Sequence, residues 1–382
     1  MQKIYFDNAA TTTIRSEVIT RMVEVLESDF GNASSSHSYG RSAKNHIEQT
    51  RKNIAKYLGV SASEIIFTSG GTEADNLVIN SAVRDLGVLH IITSRIEHHA
   101  VLHTVQEIES RTNIVVSYVR IKENGSVDYE HLESLLATSN TKTLVSLMHI
   151  NNEVGTILDV ERVGDLCQSK GAIFHSDMVQ SIGHYEVDLS KLYIDFIAVS
   201  AHKFHGPKGV GFAYIRKNSG LKPLIFGGEQ ERGYRAGTES VHNIVGMDEA
   251  LRLAYDHLEE EKKYIEEIKQ YFIDTLKNAI HGVRFNADSD SKRHCTYTLV
   301  NVCLPVSAEK AGVLLFHLDI NGIACSKGSA CQSGSSKGSH VLTEILSEDD
   351  LQKPSIRFSF SKYNTKEEVD YVVGVLKDFI NS

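Results

Sequence analysis

The sequence predicts an α/β protein: a large unit on a mostly parallel seven-stranded sheet, with a smaller α+β unit beside it. Two patterns carry that expectation. Between residues 65 and 216, short apolar runs alternate with longer segments of helical period. After Gly246 the alternation stops, and long charged helices mix with isolated strands. Apolar strands separated by helices imply right-handed crossovers and a sheet covered on both faces.

The strand-like runs, in order, are Ile65–Thr68, His90–Thr93, Ile114–Val119, Thr143–Ile150, Ala172–Ser176, Phe196–Ser200 and Val210–Ile215. Helical spacing falls near Glu73–Arg84, Ala100–Glu109, Tyr129–Leu136 and Val160–Ser169. Beyond Gly246 one long helical segment, charge-rich from His257 to Lys269, is expected to reach about Asn278. Strand-like Thr296–Leu304, helix-like Glu309–Leu318, strand-like Ser355–Ser359 and a final helix over Lys366–Phe379 complete the chain. Ser326–Ser339, with three Gly and six Ser, reads as a long loop, and such loops often carry function.

Composition excludes several classes. Apolar residues at 41% and charged residues at 23% argue against disorder. A net charge of −9 argues against a nucleic-acid-binding surface. The start Met1-Gln2-Lys3-Ile4 lacks the basic and apolar regions of a secretory signal, and no apolar run approaches about 18 residues. Five cysteines are an odd number and do not suggest a disulfide framework. A cytoplasmic protein with no membrane association is expected.

Four constellations could carry chemistry. In Thr68-Ser69-Gly70-Gly71-Thr72-Glu73, a strand ends, two glycines follow and a helix opens. Free N–H groups and the helix dipole favour a phosphate there, although a tight turn with Thr72 as N-cap explains the same residues. In Phe174-His175-Ser176-Asp177, an apolar run ends in a carboxylate, which is either an N-cap or a ligand partner. In Ser200-Ala201-His202-Lys203-Phe204-His205-Gly206-Pro207, a lysine directly follows a strand. Desolvation there would lower its pKa and suit it to Schiff-base chemistry. In Gly328-Ser329-Ala330-Cys331-Gln332, a thiol sits on the polar loop, whereas Cys167, Cys295, Cys303 and Cys325 lie in apolar contexts. A metal is the competing idea, from Glu97-His98-His99 and His103, but neither HExxH nor CxxC occurs and no metal is expected.

Lys203, Asp177 and the Gly-Gly-Thr helix start together suggest pyridoxal phosphate. The chain resembles the cysteine desulfurases, the NifS/IscS-like group I branch of the class V aminotransferase superfamily. The matching residues run from Asp7-Asn8-Ala9-Ala10-Thr11-Thr12 through Glu97-His98, Asn151-Asn152-Glu153, Arg235 and Gly237-Thr238 to Gly328-Ser329-Ala330-Cys331. The resemblance implies fold type I, with residues 16–246 as the cofactor-binding unit. Residues 1–15 and 247–382 would form the smaller unit, carrying loop 326–339.

It also implies roles. Lys203 would hold the cofactor as a Schiff base, Asp177 would pair with the ring nitrogen, and Gln180 would contact the phenolic oxygen. His98 would stack on the ring. Gly71, Thr72, Ser200 and His202 would bind the phosphate, joined by Thr238 from the partner of a homodimer. Asn152 would serve cofactor and substrate, and Arg357 would hold the substrate carboxylate. Cys331 would accept sulfur from L-cysteine as a persulfide, for delivery to an acceptor protein such as one assembling iron–sulfur clusters. Departures from the family pattern are Ala33, Lys327, Gln332-Ser333 and Lys337-Gly338. Selenocysteine lyase, cysteine-sulfinate desulfinase and a plain class V aminotransferase are the alternative activities. A non-catalytic sulfur carrier is the alternative without a cofactor.

Overall fold

The structure is a computed structural model that describes residues 3–327 and 338–382. Most of the expected 326–339 loop, including Cys331, lies outside the described residues. The chain opens with strand β1 (Ile4–Tyr5) and helices α1 (Ser16–Ser28) and α2 (Ser38–Tyr57). Then follow β2 (Ile65–Thr68), α3 (Gly71–Leu86), β3 (His90–Thr93), α4 (His99–Arg111), β4 (Val115–Tyr118) and α5 (Tyr129–Thr138). The first unit continues through β5 (Thr143–Ser146), α6 (Val160–Lys170), β6 (Ile173–Asp177), β7 (Phe196–Ser200) and β8 (Gly211–Ile215). These form one seven-stranded sheet in the order β2-β8-β7-β6-β5-β3-β4. It is parallel except for β8, which runs antiparallel to both β2 and β7.

Alternate side chains serve alternate faces of that sheet, as strand geometry requires. Ile65, Phe67, Ile92, Val145, Ile197 and Val199 enter one core, beneath α2, α5, α6 and α7. Ile66, Ile91, Leu144, Phe196 and Ala198 enter the other, beneath α3 and α4. Both cores are buried, which explains why the strands read as unbroken apolar runs rather than as alternation.

The later part contains α7 (Val241–Asp256), α8 (Leu258–Ala279), β9 (Arg284–Phe285), β10 (Leu299–Cys303), α9 (Ala308–Ile320) and β11 (Ile323–Ala324). It ends with α10 (His340–Ile345), α11 (Glu348–Leu351), β12 (Ser355–Ser359) and α12 (Lys366–Asn381). β12-β10-β9 form an antiparallel sheet, and β1 pairs in parallel with β11. Phe272, Val300, Phe358, Leu318 and Val372 make a separate core, into which Ile4 and Phe6 also pack.

Three expectations need correction. The single long helix after Gly246 is two, broken at His257 (φ −112°, ψ 13°). The break has a packing reason: Met247, Ala250 and Leu251 serve the first core, whereas Ile265, Ile268 and Phe272 serve the later one. The Thr143–Ile150 strand ends at Ser146; beyond it Ile150 bridges back to Ile157 across a turn in which the Asn151 side chain accepts from the N–H groups of Glu153 and Val154. Likewise β10 begins at Leu299 rather than Thr296, whose N–H is taken by Gly155 O at 2.7 Å. Helices α1 and α2 complete the first unit, and α2 places Ala43, Ile47 and Ile54 at helical spacing into the core.

Candidate active site

The carboxyl ends of β6 and β7 build the site. The two strands are parallel neighbours with Asp177 opposite Ala198. In an open parallel sheet such ends border the ligand crevice. β6 ends at Asp177, whose Oδ1 accepts the Val179 N–H at 2.9 Å. Burial lifts its pKa above the usual carboxylate range, while the hydrogen bond and the nearby Lys203 ammonium oppose the rise. β7 ends at Ser200, and a single 3-10 turn, Ala201–Lys203, presents Lys203.

The N-terminus of α3 adjoins this edge. Gly71 N donates to Ser200 Oγ at 2.6 Å. A Cβ on Gly71 would lie 2.6 Å from Val179 Cγ2 and 3.2 Å from Ser200 Oγ, so the backbone approaches too closely for any side chain. Gly70 has φ 149°, which favours glycine. The bland reading of Thr72 as N-cap is not what forms: Gly70 is the cap, and Thr72 is exposed in the first turn. Glu73 in that turn is engaged by Arg235 at 2.8 Å and by Ser69 N at 2.9 Å. The helix end thus keeps its positive character next to Ser200 and His202.

The N-terminal segment lies over Lys203. Lys203 Nζ donates to Ala9 O at 2.6 Å and to Ala10 O at 2.8 Å, and Gln180 Nε2 also donates to Ala9 O, at 3.0 Å. Thr12 N donates to His202 O at 2.9 Å. His202 Nδ1 is hydrogen-bonded to Thr11 Oγ1 at 3.1 Å. Burial, followed by the Lys203 charge, lowers the His202 pKa to about 3 and that of His98 to about 4. Both imidazoles are therefore neutral near pH 7.

His98 caps the N-terminus of α4, its Nδ1 accepting the Ala100 N–H at 3.2 Å. Beside it, His99 stacks on His103 at 4.4 Å and tilts against His340 at 4.5 Å. His340 Nε2 donates to Glu97 O at 2.9 Å, and Ser339 Oγ is hydrogen-bonded to Glu153. The first residues after the 328–337 segment are thereby fastened beside His98. Among the described residues, no group of three or more His, Cys, Asp or Glu side chains could share a metal ion.

Arg357 comes from β12 and is 1% exposed. Nη1 donates to Asn152 O at 2.7 Å and Nη2 to Asp7 Oδ1 at 2.8 Å. Its Nε is buried without a hydrogen-bond partner among the described residues. Ser326 Oγ donates to the same Asp7 oxygen at 2.9 Å.

The structure thus brings Gly71, Ser200, His202, Lys203, Asp177 and Gln180 to one edge, with His98, Asn152 and Arg357 around it. Thr238 stays apart: it is exposed, with no hydrogen bond to these residues within the chain among those described. Cys331 lies outside the described residues. Sequence reasoning missed Asp7 as the partner of Arg357, and Glu97, Asp75 and His175 as buried polar groups at the site. A charged residue within the Phe6-Asp7-Asn8-Ala9 run was the available signal for Asp7.

The donor set matches what a phosphorylated pyridine aldehyde requires: a lysine amine, a carboxylate facing a ring position, and a helix N-terminus where no Cβ fits. Residues 4–372 match the aminotransferase class-V family, and the chain belongs to it. Within it, the chain falls among the cysteine desulfurases. A relative from Dictyoglomus turgidum, named cysteine desulfurase IscS, is 39% identical over 99% of this chain and 95% of its own. A Bacillus subtilis relative is 44% identical over 97% of this chain and 96% of its own. A solved NifS-like protein superposes with TM-score 0.90 at 36% identity, covering all of both chains. The solved structure of SspA in complex with cysteine gives TM-score 0.82 at 33% identity, over 95% of this chain and 100% of that one. Among the described residues, no helix is long and apolar enough to cross a membrane.

Proposed function

We propose that this chain is a pyridoxal-phosphate-dependent cysteine desulfurase that works as a homodimer, converts L-cysteine to L-alanine and passes the sulfur to Cys331. The carrying observation is the meeting of Lys203, Asp177 and the Gly71–Ser200 contact at two adjacent strand ends and one helix N-terminus.

Each residue then has a task. Gly71, Thr72, Ser200 and His202 would hold the phosphate, with Thr238 of the second subunit completing the cup. Lys203 holds the aldehyde carbon. Asp177 would pair with the ring nitrogen and keep it protonated, Gln180 would meet the phenolic oxygen, and His98 would stack on the ring. When bound, the cofactor supplies an electron sink for the pair released at Cα. Arg357 and Asn152 hold the substrate carboxylate, and the orphan Arg357 Nε supplies a donor for it. Lys203, at the end of β7, would be the base for the Cα proton. The Cys331 thiolate attacks the substrate sulfur. The new S–S bond forms as the Cβ–S bond breaks, its electron pair stays with carbon, and Cβ takes up a proton, leaving a persulfide on Cys331 and alanine.

We further infer two folding units that divide at His257, since α7 packs on the first core and α8 on the later one. The function is tested by incubating purified full-length protein with pyridoxal phosphate and L-cysteine. A visible band, sulfide release under a reductant and equimolar alanine are expected. Sulfur-free transamination, or selenide release without sulfide release, would replace this reading with one of its rivals. A protein that takes up no cofactor would refute the whole class.

A further inference from the structure

Asp75 lies four residues past Gly71 on α3, one helical turn from the phosphate-binding end, and is 1% exposed. Neither of its oxygens has a hydrogen-bond partner among the described residues. The group facing it is His175 Nε2 on β6, at 3.3 Å. His175 is also fully buried, and its Nδ1 is hydrogen-bonded to Ser146 Oγ on β5 at 2.9 Å. His175 sits two residues before Asp177, on the same face of the strand.

The charges around Asp75 are few. Asp177 faces it from the end of β6, and Glu97 from the start of α4. The cation among these groups is Lys203, which acts on Asp177. Three buried carboxylates cannot all ionise beside one ammonium, since an isolated buried charge takes up or loses a proton instead. Burial first, and then the charges of Asp177 and Glu97, push the Asp75 pKa far up. Burial pushes that of His175 down to about 3. The imidazole is therefore neutral. His175 Nε2, like both Asp75 oxygens, has no hydrogen-bond partner among the described residues, and in the tautomer whose Nδ1–H is given to Ser146 it is Nε2 that carries the lone pair.

We propose that Asp75 and His175 are a positioning pair: a protonated Asp75 carboxyl donates to His175 Nε2, binding the phosphate end of α3 to the strand that carries Asp177. The pair holds one proton and no net charge, so Asp177 is left as the ionised carboxylate meeting the ring. The pair would add a polar tie between α3 and β6 to the apolar packing of α3 on the sheet and the Gly71–Ser200 hydrogen bond. The inference rests on the cofactor reading above, but Asp75 itself touches neither cofactor nor substrate.

The test uses full-length protein and three variants: Asp75→Ala, Asp75→Asn and His175→Phe. Asp75→Ala leaves the buried Nε2 unpaired and should weaken pyridoxal phosphate binding by roughly ten- to a hundredfold. It should also displace the pH midpoint of the cofactor's visible band. Affinity for inorganic phosphate alone should be unchanged, because the cup remains. Asp75→Asn is neutral and still a donor, and should recover most of the loss. His175→Phe should match Asp75→Ala. In infrared difference spectra, wild type minus Asp75→Asn should show a protonated carboxylic acid band at neutral pH.

Loss of phosphate affinity in step with cofactor affinity would reduce Asp75 to a structural prop and overturn the proposal. So would an Asp75→Asn variant as impaired as Asp75→Ala, or the absence of the infrared band. If wild-type protein binds no pyridoxal phosphate, the cofactor reading fails instead. The infrared band would still report the Asp75 proton in that case.

Discussion

Arg357 Nη2 lies 2.8 Å from Asp7 Oδ1, joining β12 to a carboxylate nearly the whole chain length away in sequence. Asp7 also accepts from Ser326, the residue at which the chain leaves towards Cys331. One carboxylate therefore fixes both the guanidinium proposed to grip the substrate and the residue that leads into the segment proposed to accept sulfur.

That junction gives the first prediction. Arg357→Ala should lower kcat/KM for L-cysteine by roughly one and a half to three and a half orders of magnitude, as for truncating one member of a buried charged pair. Asp7→Asn should act mainly on KM, because the guanidinium remains but loses its anchor. Steady-state kinetics decide it, and an unchanged kcat/KM in Arg357→Ala would remove Arg357 from the substrate site.

Lys203→Ala should lose the visible absorbance of the lysine-bound cofactor and all turnover. Some cofactor should still bind non-covalently through the Gly71–Ser200 cup and Asp177. A yellow, active Lys203→Ala protein would contradict the assignment.

Cys331→Ser should still change the cofactor spectrum when L-cysteine is added, since capture depends on Lys203, Asp177 and Arg357. It should form no persulfide, because a hydroxyl is a poor nucleophile towards sulfur at neutral pH. Cys325 has its thiol pKa pushed up to about 12 by burial first and is not expected to replace it. Mass spectrometry of the Cys331 peptide after L-cysteine treatment should find one added sulfur. Sulfur on Cys325 instead would sink the idea.

Gly71→Ala would set a methyl 2.6 Å from Val179 Cγ2. Something must shift at the helix end, so affinity for pyridoxal phosphate should fall by about tenfold or more, as when a pre-formed donor set loses its geometry. Val179→Ala in the same chain should restore part of it. Equilibrium titration of the full-length protein measures both, and an unaffected Gly71→Ala variant would show that the backbone there does not approach the phosphate.

The half-buried histidines His98 and His202 set an acid limit. In the unfolded chain an imidazole titrates near 6.5, whereas folding lowers His98 to about 4 and His202 to about 3. The folded state thus binds fewer protons, and their contribution to stability is full above about pH 6.5 and lost as pH falls towards those lower values. Glu97 works oppositely: burial raises it to about 8, so its contribution is full below about pH 4.5 and lost as pH rises through 8. Urea unfolding midpoints of the cofactor-free protein should fall on acidification below pH 6.5. His98→Gln should flatten that acid limb and Glu97→Gln the alkaline one. Parallel curves for wild type and variants would disprove the linkage.

Much of the fold was legible. Ile65–Thr68, His90–Thr93, Phe196–Ser200 and Ser355–Ser359 were bounded correctly, because buried strands are short apolar runs cut off by polar residues. The α7–α8 break was not legible, since helical period continues through His257, and only the existence of two cores demands the turn.

The sequence by itself determined the chemistry available: a lysine after a strand, a carboxylate ending another, glycines at a helix start and a thiol on a polar loop. These are local, and strand, turn and helix-start signals are local as well. Tertiary structure alone decided which of them meet. Asp7 reaches Arg357, Ala9 O caps Lys203 and Asp75 faces His175. Each contact joins segments far apart in the chain, which no periodicity encodes. Their charges were equally hidden, because the protonation of Asp75, Glu97, Asp177 and the histidines follows from burial and from one another's fields, and both exist only once the chain has folded.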